Sequence, residues 1–478
     1  MPAVKLQGAV PVFISALLLV SLSGWLAAVL ALWRSYFGMF PATGVVAALA
    51  DAVLRGQSPG HDDGSAFLVS YYFPPFPILV AAAHRLGLEW LQALRAGALL
   101  TGSLVLASAA WAAHAMGAGR RGALLAPALV AATYSFKASG IDGRADLLAV
   151  AFSLAALAAW TRDPEARGWT LPALAAASLL TKATSVTVPL ALLAWTLGRR
   201  QGGTLARFGA RFAACALAGL LITLPAHGPA WYASALHALA TASPGNSNLL
   251  RAPAELLRYL GTCGELALFA TLAIALLAGR RMRGTPVAAY GVASLLITLA
   301  VMTNVGSGPN HLDELGATAA TCAAVWAAPR LSRRTLVPPL ALAIAVLGGS
   351  WRDLVPAVRH AGAAGNVRAQ VIEAVRREPG DVLTEDALLS LAAGRRPAIS
   401  DGAALRPLSL QGDPRALRVV EALNRRRFSL VVLDNDLDTG ARWYRTVYLG
   451  EPVTTALETH YRAAGVLDGY HLYRPAAE

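Results

Sequence analysis

Long apolar runs alternate with short polar breaks through the first three quarters of this chain. They fall near residues 8–33, 93–115, 122–137, 145–161, 169–181, 184–197, 208–226, 257–279, 285–304, 314–328 and 335–350. An upright helix needs about 20 apolar residues to cross a bilayer. The pattern therefore predicts an α-helical polytopic membrane protein with about 11 transmembrane helices over residues 1–350. Several runs are short. The pair flanking Lys182 is the shortest and predicts a broken or tilted hairpin, tolerable only where protein or water covers the backbone. The first run has no convincing small-residue cleavage site after it and reads as a retained anchor. A long loop, residues 34–92, separates the first two spans. Within it, Val45 to Arg55 has helical periodicity and is expected to lie flat on the membrane. The run Tyr71-Tyr72-Phe73-Pro74-Pro75-Phe76-Pro77 then breaks the chain, suits an interfacial aromatic belt, and starts another apolar helix near 76–87.

The pattern changes near residue 351. From there to 478 the composition is that of a soluble domain. Val382-Leu383-Thr384, Ala398-Ile399-Ser400 and Leu430-Val431-Val432-Leu433-Asp434 read as short strands bounded by Gly, Pro and Asp, with a helical pattern at 414–426 between them. A small C-terminal α/β domain follows. It carries no glycine-rich phosphate loop, zinc spacing or nucleophile elbow.

Charge fixes the orientation. The chain holds 41 Lys and Arg against 28 Asp and Glu, a formal net charge of +13, yet only 14% of its residues are charged, against about 25% in soluble domains. The basic excess therefore reads as topology, not nucleic-acid binding. With Lys5 cytoplasmic, Arg120-Arg121, Arg162 with Arg167, the Arg199–Arg211 group, Arg280 to Arg283, and Arg330 to Arg334 all fall on one side, as the positive-inside rule requires. Residues 34–92, 138–144, Lys182, 227–256, 305–313 and the tail fall on the other. Cys215, Cys263 and Cys322 make no metal-type spacing and read as packing residues.

Four polar groups share that outer face. They are Asp142, Arg144 and Asp146; Lys182; Asn310-His311-Leu312-Asp313-Glu314; and the first loop with Asp51, His61, Asp62, Asp63 and Tyr72. Cations beside an apolar groove suit the phosphate of an anionic lipid head. Carboxylates nearby suit a general base acting on an acceptor hydroxyl or amine. Each group also has a plainer reading. Arg144 and Asp146 can equally pair with each other and cap the fourth span. Lys182 can snorkel to the headgroups. His311 and Glu314 serve equally as interhelical hydrogen-bond partners. Asp62 and Asp63 sit in a turn rich in Gly, Ser and Pro, and Asp51 belongs to the polar face of an amphipathic helix.

Several stretches resemble the GT-C membrane glycosyltransferases, in particular bacterial relatives of protein O-mannosyltransferases and aminoarabinose transferases. They are Leu54-Arg55-Gly56-Gln57 followed by Phe73-Pro74-Pro75-Phe76-Pro77; Gly143-Arg144-Ala145-Asp146-Leu147-Leu148-Ala149; Ser178-Leu179-Leu180-Thr181-Lys182-Ala183-Thr184; and Asn310-His311-Leu312-Asp313-Glu314. The likeness spans nearly the whole chain. It implies transfer of a sugar from a polyprenyl-phosphate donor, usually with inversion, to a glycan, lipid or protein acceptor at the outer face of a bacterial inner membrane. The N-terminus would be cytoplasmic and the C-terminal domain periplasmic. It also implies a donor-phosphate contact at the Lys182 position, a second acidic motif at Asp146, and a catalytic base at the start of the first loop. Here the chain departs from the pattern, because Pro41-Ala42-Thr43-Gly44 holds no carboxylate.

These readings combine into one expectation. Asp62 or Asp63 is the base, and Asp146 orients the acceptor or a divalent metal. Arg144 and Lys182 hold the phosphate, and Asp142, Tyr72, His311 and Glu314 line the substrate site. No cofactor is certain and no metal ligands are assigned. The missing acid at 41–44 supports an alternative, a lipid-binding or scaffolding protein that keeps the fold without turnover. A transporter of lipid-linked substrate fits less well, since the chain lacks obvious inverted halves.

Overall fold

The computed structural model describes residues 3–35, 41–59, 66–228, 230–242, 251–262, 285–303, 308–331 and 368–477, with isolated positions 269, 272, 273 and 359. The apolar runs become helices: α1 Ala3–Ala31, α2 Pro41–Leu54, α3 Pro75–Arg85, α4 Trp90–Ala115, α5 Gly119–Ala132, α6 Tyr134–Asp142 and α7 Asp146–Arg162. They continue as α8 Thr170–Thr181, α9 Thr187–Gly198, α10 Gly202–His227, α11 Ala230–Ala242, α12 Arg251–Thr262, α13 Pro286–Met302 and α14 Asp313–Leu331. Among the described residues, Ile14–Ala31, Trp90–Ala115 and Gly202–Pro225 are long and apolar enough to cross a membrane. The pair α5 and α6, bent by 70°, makes a fourth if taken as one span. Helices α8, α9 and α13 are shorter, and the expected runs at 257–279 and 335–350 lie largely outside the described residues. Small residues let the helices approach closely. Ala126 and Ala128 of α5 and Ala319, Ala320 and Ala323 of α14 are all fully buried.

Two breaks position the site. At Thr133 the backbone turns extended, and its hydroxyl accepts from the Phe136 N–H at 3.3 Å, starting α6. The stretch 138–144, expected as a loop, is therefore mostly helix. Gly143 then ends α6 with φ 78°, and a Cβ there would lie 2.8 Å from the Leu94 carbonyl oxygen. Only glycine fits both demands. The second break runs from Lys182 to Val186, between α8 and α9.

The C-terminal part consists of α15 Ala369–Arg377, β1 Asp381–Thr384, α16 Ala387–Ala392, α17 Gly402–Leu410, α18 Pro414–Asn424, β2 Phe428–Leu433, α19 Leu437–Trp443, a π-helical turn Tyr444–Tyr448, α20 Glu451–His460, β3 Tyr461–Leu467 and β4 Tyr470–Pro475. Aspartates at 386, 401, 413 and 436 cap helices α16, α17, α18 and α19. The sheet order is β1-β2-β4-β3, with β1 and β2 parallel and the other pairs antiparallel. The strand expected at 398–400 is instead a single bridge, Ile399 with Phe67 of the first loop. Phe67 N–H donates to the Ala398 carbonyl and Ser400 N–H to the Phe67 carbonyl, both at 2.9 Å. Ser70 Oγ then donates to Asp401 at 3.1 Å and Tyr71 to the Ala403 carbonyl at 2.7 Å. The first loop is thus stitched to the tail. Helix α2, expected on the membrane surface, buries Val45 to Ala50 against α3 and α16.

Candidate functional site

The reversal from α6 to α7 places Asp142, Arg144 and Asp146 within five residues, and the charges divide between two partners. Arg144 pairs with Asp142, whose other oxygen accepts from the Thr43 hydroxyl at the start of α2. Asp146, the first residue of α7, accepts from Lys182 and from Asn310 Nδ2, the latter at 2.9 Å. A carboxylate there gains from the helix N-terminus. The pairing of Arg144 with Asp146 weighed from sequence is not the one formed. Asp142 and Asp146 are both 2% exposed. Both Asp142 oxygens are engaged, whereas Asp146 Oδ2 is buried with no hydrogen-bond partner among the described residues. Such an atom demands a water, hydroxyl or cation.

Asp146 and Lys182 line a cavity of about 30 Å³ together with Asn310, His311 and Glu314. It has room for about one water-sized group. Glu314 also joins three helices, accepting from Tyr290 at 2.6 Å and from Thr187 at 2.9 Å. This is the interhelical role weighed from sequence. Tyr72 is half-buried. Its N–H donates to Ser70 Oγ at 3.1 Å, and its carbonyl accepts from Trp231 Nε1 at 2.8 Å. Burial pushes its phenol up, and the Asp146 carboxylate adds to the effect. Asp51 pairs with Arg55 one turn on. Asp62, Asp63 and His61 lie outside the described residues, as does Cys263. No group of three or more His, Cys, Asp or Glu is arranged to hold a metal among the described residues.

Two participants escaped the sequence reading. Thr43 touches the cluster from the position that lacks an acid. Arg95 of α4, fully buried, donates to the carbonyls of Ile141 and Ser35, the latter at 3.0 Å, and fixes the end of α6. Their signals were faint: a hydroxyl on a helix start, and a single Arg near the start of an apolar run.

The fold that carries this site is that of the GT-C glycosyltransferases. The structure of ArnT from Cupriavidus metallidurans bound to undecaprenyl phosphate matches with a TM-score of 0.64 and 13% identity, over 98% of each chain. The archaeal oligosaccharyltransferase AglB from Archaeoglobus fulgidus, in complex with an inhibitory peptide and a dolichol-phosphate, matches with a TM-score of 0.56 and 11% identity, over 95% of this chain and 74% of that one. The same oligosaccharyltransferase in complex with Zn and sulfate gives a TM-score of 0.57 at 13% identity, over 96% and 72%. At these identities the likeness is one of fold. No family model matches the chain, and no curated protein matches it in sequence.

Proposed function

We propose that this protein is a membrane glycosyltransferase that moves a sugar from a polyprenyl-phosphate donor to an acceptor on the outer face of a bacterial inner membrane. Residues 1–350 form the membrane part, with about 11 spans, and residues 351–478 a periplasmic domain. A shared fold does not fix a reaction. The observation that carries the reading is local: Asp146 holds one open oxygen and one oxygen bound to Lys182, beside a cavity. The lipid phosphates named in the ArnT and AglB structures give the donor class.

The roles follow from charge and position. The donor phosphate takes Lys182 and Arg144, which neutralise charge as the sugar–phosphate bond breaks. Phosphate at Lys182 displaces Asp146, and that carboxylate then orients the acceptor. The acceptor oxygen or nitrogen attacks the anomeric carbon, the phosphate leaves with the bonding pair, and the acceptor proton passes to a base. Asp62 or Asp63 serves as that base. Asp142, with both oxygens engaged, positions Arg144, while Tyr72, His311 and Glu314 shape the substrate space. Purified protein should bind undecaprenyl phosphate, and Lys182→Ala and Asp146→Asn should weaken binding and abolish transfer. Absence of binding, with both variants behaving as wild type in cells, overturns the reading.

The hydroxyl of Thr43 where an acid is expected favours a second reading, a lipid-binding protein without turnover. Sugar transfer lost in Asp62→Asn or Asp63→Asn excludes it.

A further inference from the structure

A second concavity lies away from this cluster. A cavity of about 430 Å³ opens between α18, the starts of β1 and β2, the segment 395–398 and residues 66–67 of the first loop. That volume falls within the usual span of small-molecule sites, about 300–1,000 Å³. Six arginines line it: Arg395, Arg396, Arg415, Arg418, Arg425 and Arg427. Among the described residues, bordering carboxylates are seen to pair with Arg427, Arg425 and Arg415. Arg427 meets Asp381 at 2.7 Å, Arg425 meets Glu421 at 2.6 Å, and Arg415 meets Asp413 at 2.7 Å. Arg395 donates to the Gly380 carbonyl at 2.8 Å, which orients the side chain without neutralising it.

The arrangement follows from one helix face. Residues 415 and 418 of α18 and Arg425, which ends it, fall at intervals of three and seven, so their guanidiniums turn to the cleft while Ala416 and Leu423 enter the core. Two members of the run Arg425-Arg426-Arg427, at the end of α18, thereby line a concave site. Phe67 and Phe428 supply apolar surface at its base.

We infer that this Arg-lined cleft binds a phosphorylated saccharide. Guanidinium forks match phosphate oxygens in pairs. The apolar base suits the carbon face of a sugar ring. A concave site of this volume suits a compact anion better than the flat face of a membrane, which polybasic surfaces read from outside. The cleft is also connected to the first cluster. Phe67 at its base and Tyr72 are five positions apart, so the two Cα atoms lie no more than about 18 Å apart. The inference concerns binding and stands whether or not transfer occurs.

The full-length protein in phosphatidylcholine nanodiscs, titrated with glucose 1-phosphate, tests it. Saturable binding is expected, weakening as salt rises. Glucose at the same concentrations should not bind. Arg425→Ala, at a side chain 76% exposed and so harmless to the fold, should weaken binding about tenfold, the usual worth of one charge-assisted contact. Arg418→Lys should weaken it less, because the charge remains. No binding of glucose 1-phosphate, equal affinity in Arg425→Ala, or a response only to short-chain phosphatidylglycerol would each overturn the inference.

Discussion

Lys182→Met should destabilise the protein more than Asp146→Asn, and the double variant should recover part of the loss. The asymmetry comes from exposure: the Lys182 side chain is 20% exposed and that of Asp146 only 2%. Removing one partner of a buried pair costs about 3–5 kcal/mol. In Lys182→Met the carboxylate keeps the Asn310 bond and the α7 N-terminus, which offsets about 1 kcal/mol of that. The net cost should be about 2–4 kcal/mol. In Asp146→Asn the lysine keeps a route to water along its flexible stem, so the cost should be about 1.5–3 kcal/mol, that of a lost charged hydrogen bond. With both charges gone neither penalty applies in full, and the coupling should be about 1–3 kcal/mol. Reversible unfolding in mixed detergent micelles, followed by circular dichroism, measures all four corners of the cycle. Effects that add to within about 0.5 kcal/mol would refute the pairing. The same samples test function. Undecaprenyl phosphate at a hundredfold excess over its Kd should stabilise the wild type by about 2.7 kcal/mol and Lys182→Met by much less. Equal stabilisation of both would reduce the pair to a structural bridge.

Four further outcomes are expected. Burial pushes the Glu385 carboxyl up to about 8 from 4.5, so the folded state keeps a proton the unfolded state releases. Stability is then full below about pH 4.5, falls as pH rises to about 8, and is lower by on the order of 5 kcal/mol beyond. Hydrogen exchange at β2 should show this slope, Glu385→Gln should flatten it, and an unchanged slope in that variant would contradict the assignment. Thr43→Asp sets a second carboxylate against Asp142 and should lower the thermal midpoint, whereas Thr43→Ser should not; a more stable Asp variant would remove the argument. Asp401→Ala loses the α17 cap, with bonds to Ala403 and Ala404 N–H at 3.0 and 3.3 Å, and should cost about 1–2 kcal/mol. Ser70→Ala keeps that cap but cuts the tether to the tail, so it should raise exchange at residues 67–73 alone; unchanged exchange there would mean the bridge at Phe67 suffices.

The helical character of the first part was legible in its apolar runs, although among the described residues only three or four helices are long and apolar enough to span a bilayer, against about 11 expected; α2, α3, β1, β2 and α18 followed from periodicity and end signals. Strand β3 was not. Most of Arg462–Val466 is exposed, so no alternation marks it, and it forms only because β4 offers a partner. The 398–400 stretch has strand-like composition, but its partner is Phe67, more than three hundred residues away in sequence. The charge cluster was visible because ions are costly in an apolar chain. Its pairing was not, since the turn at Gly143 decides which aspartate meets Arg144, and a positive φ leaves no sign beyond the glycine itself.

The departure at residues 41–44 looks different once the cluster is seen in space. A carboxylate at position 43 would face Asp142, whose other oxygen already holds Arg144, and two anions sharing one cation at such burial require a proton or another cation. Threonine satisfies the same oxygen with a neutral donor. The missing acid and the Asp142–Arg144 pair are thus a consistent set, in which the start of α2 supports Arg144. In the proposed reaction the base then comes from elsewhere in the first loop, or from the open oxygen of Asp146. Within the proposed reaction, Lys182 sets the order of events. While it binds Asp146 that carboxylate is engaged, and only an incoming phosphate competes for the ammonium. Donor binding therefore precedes acceptor activation, and a chain lacking Lys182 should lose that order along with its affinity for the lipid.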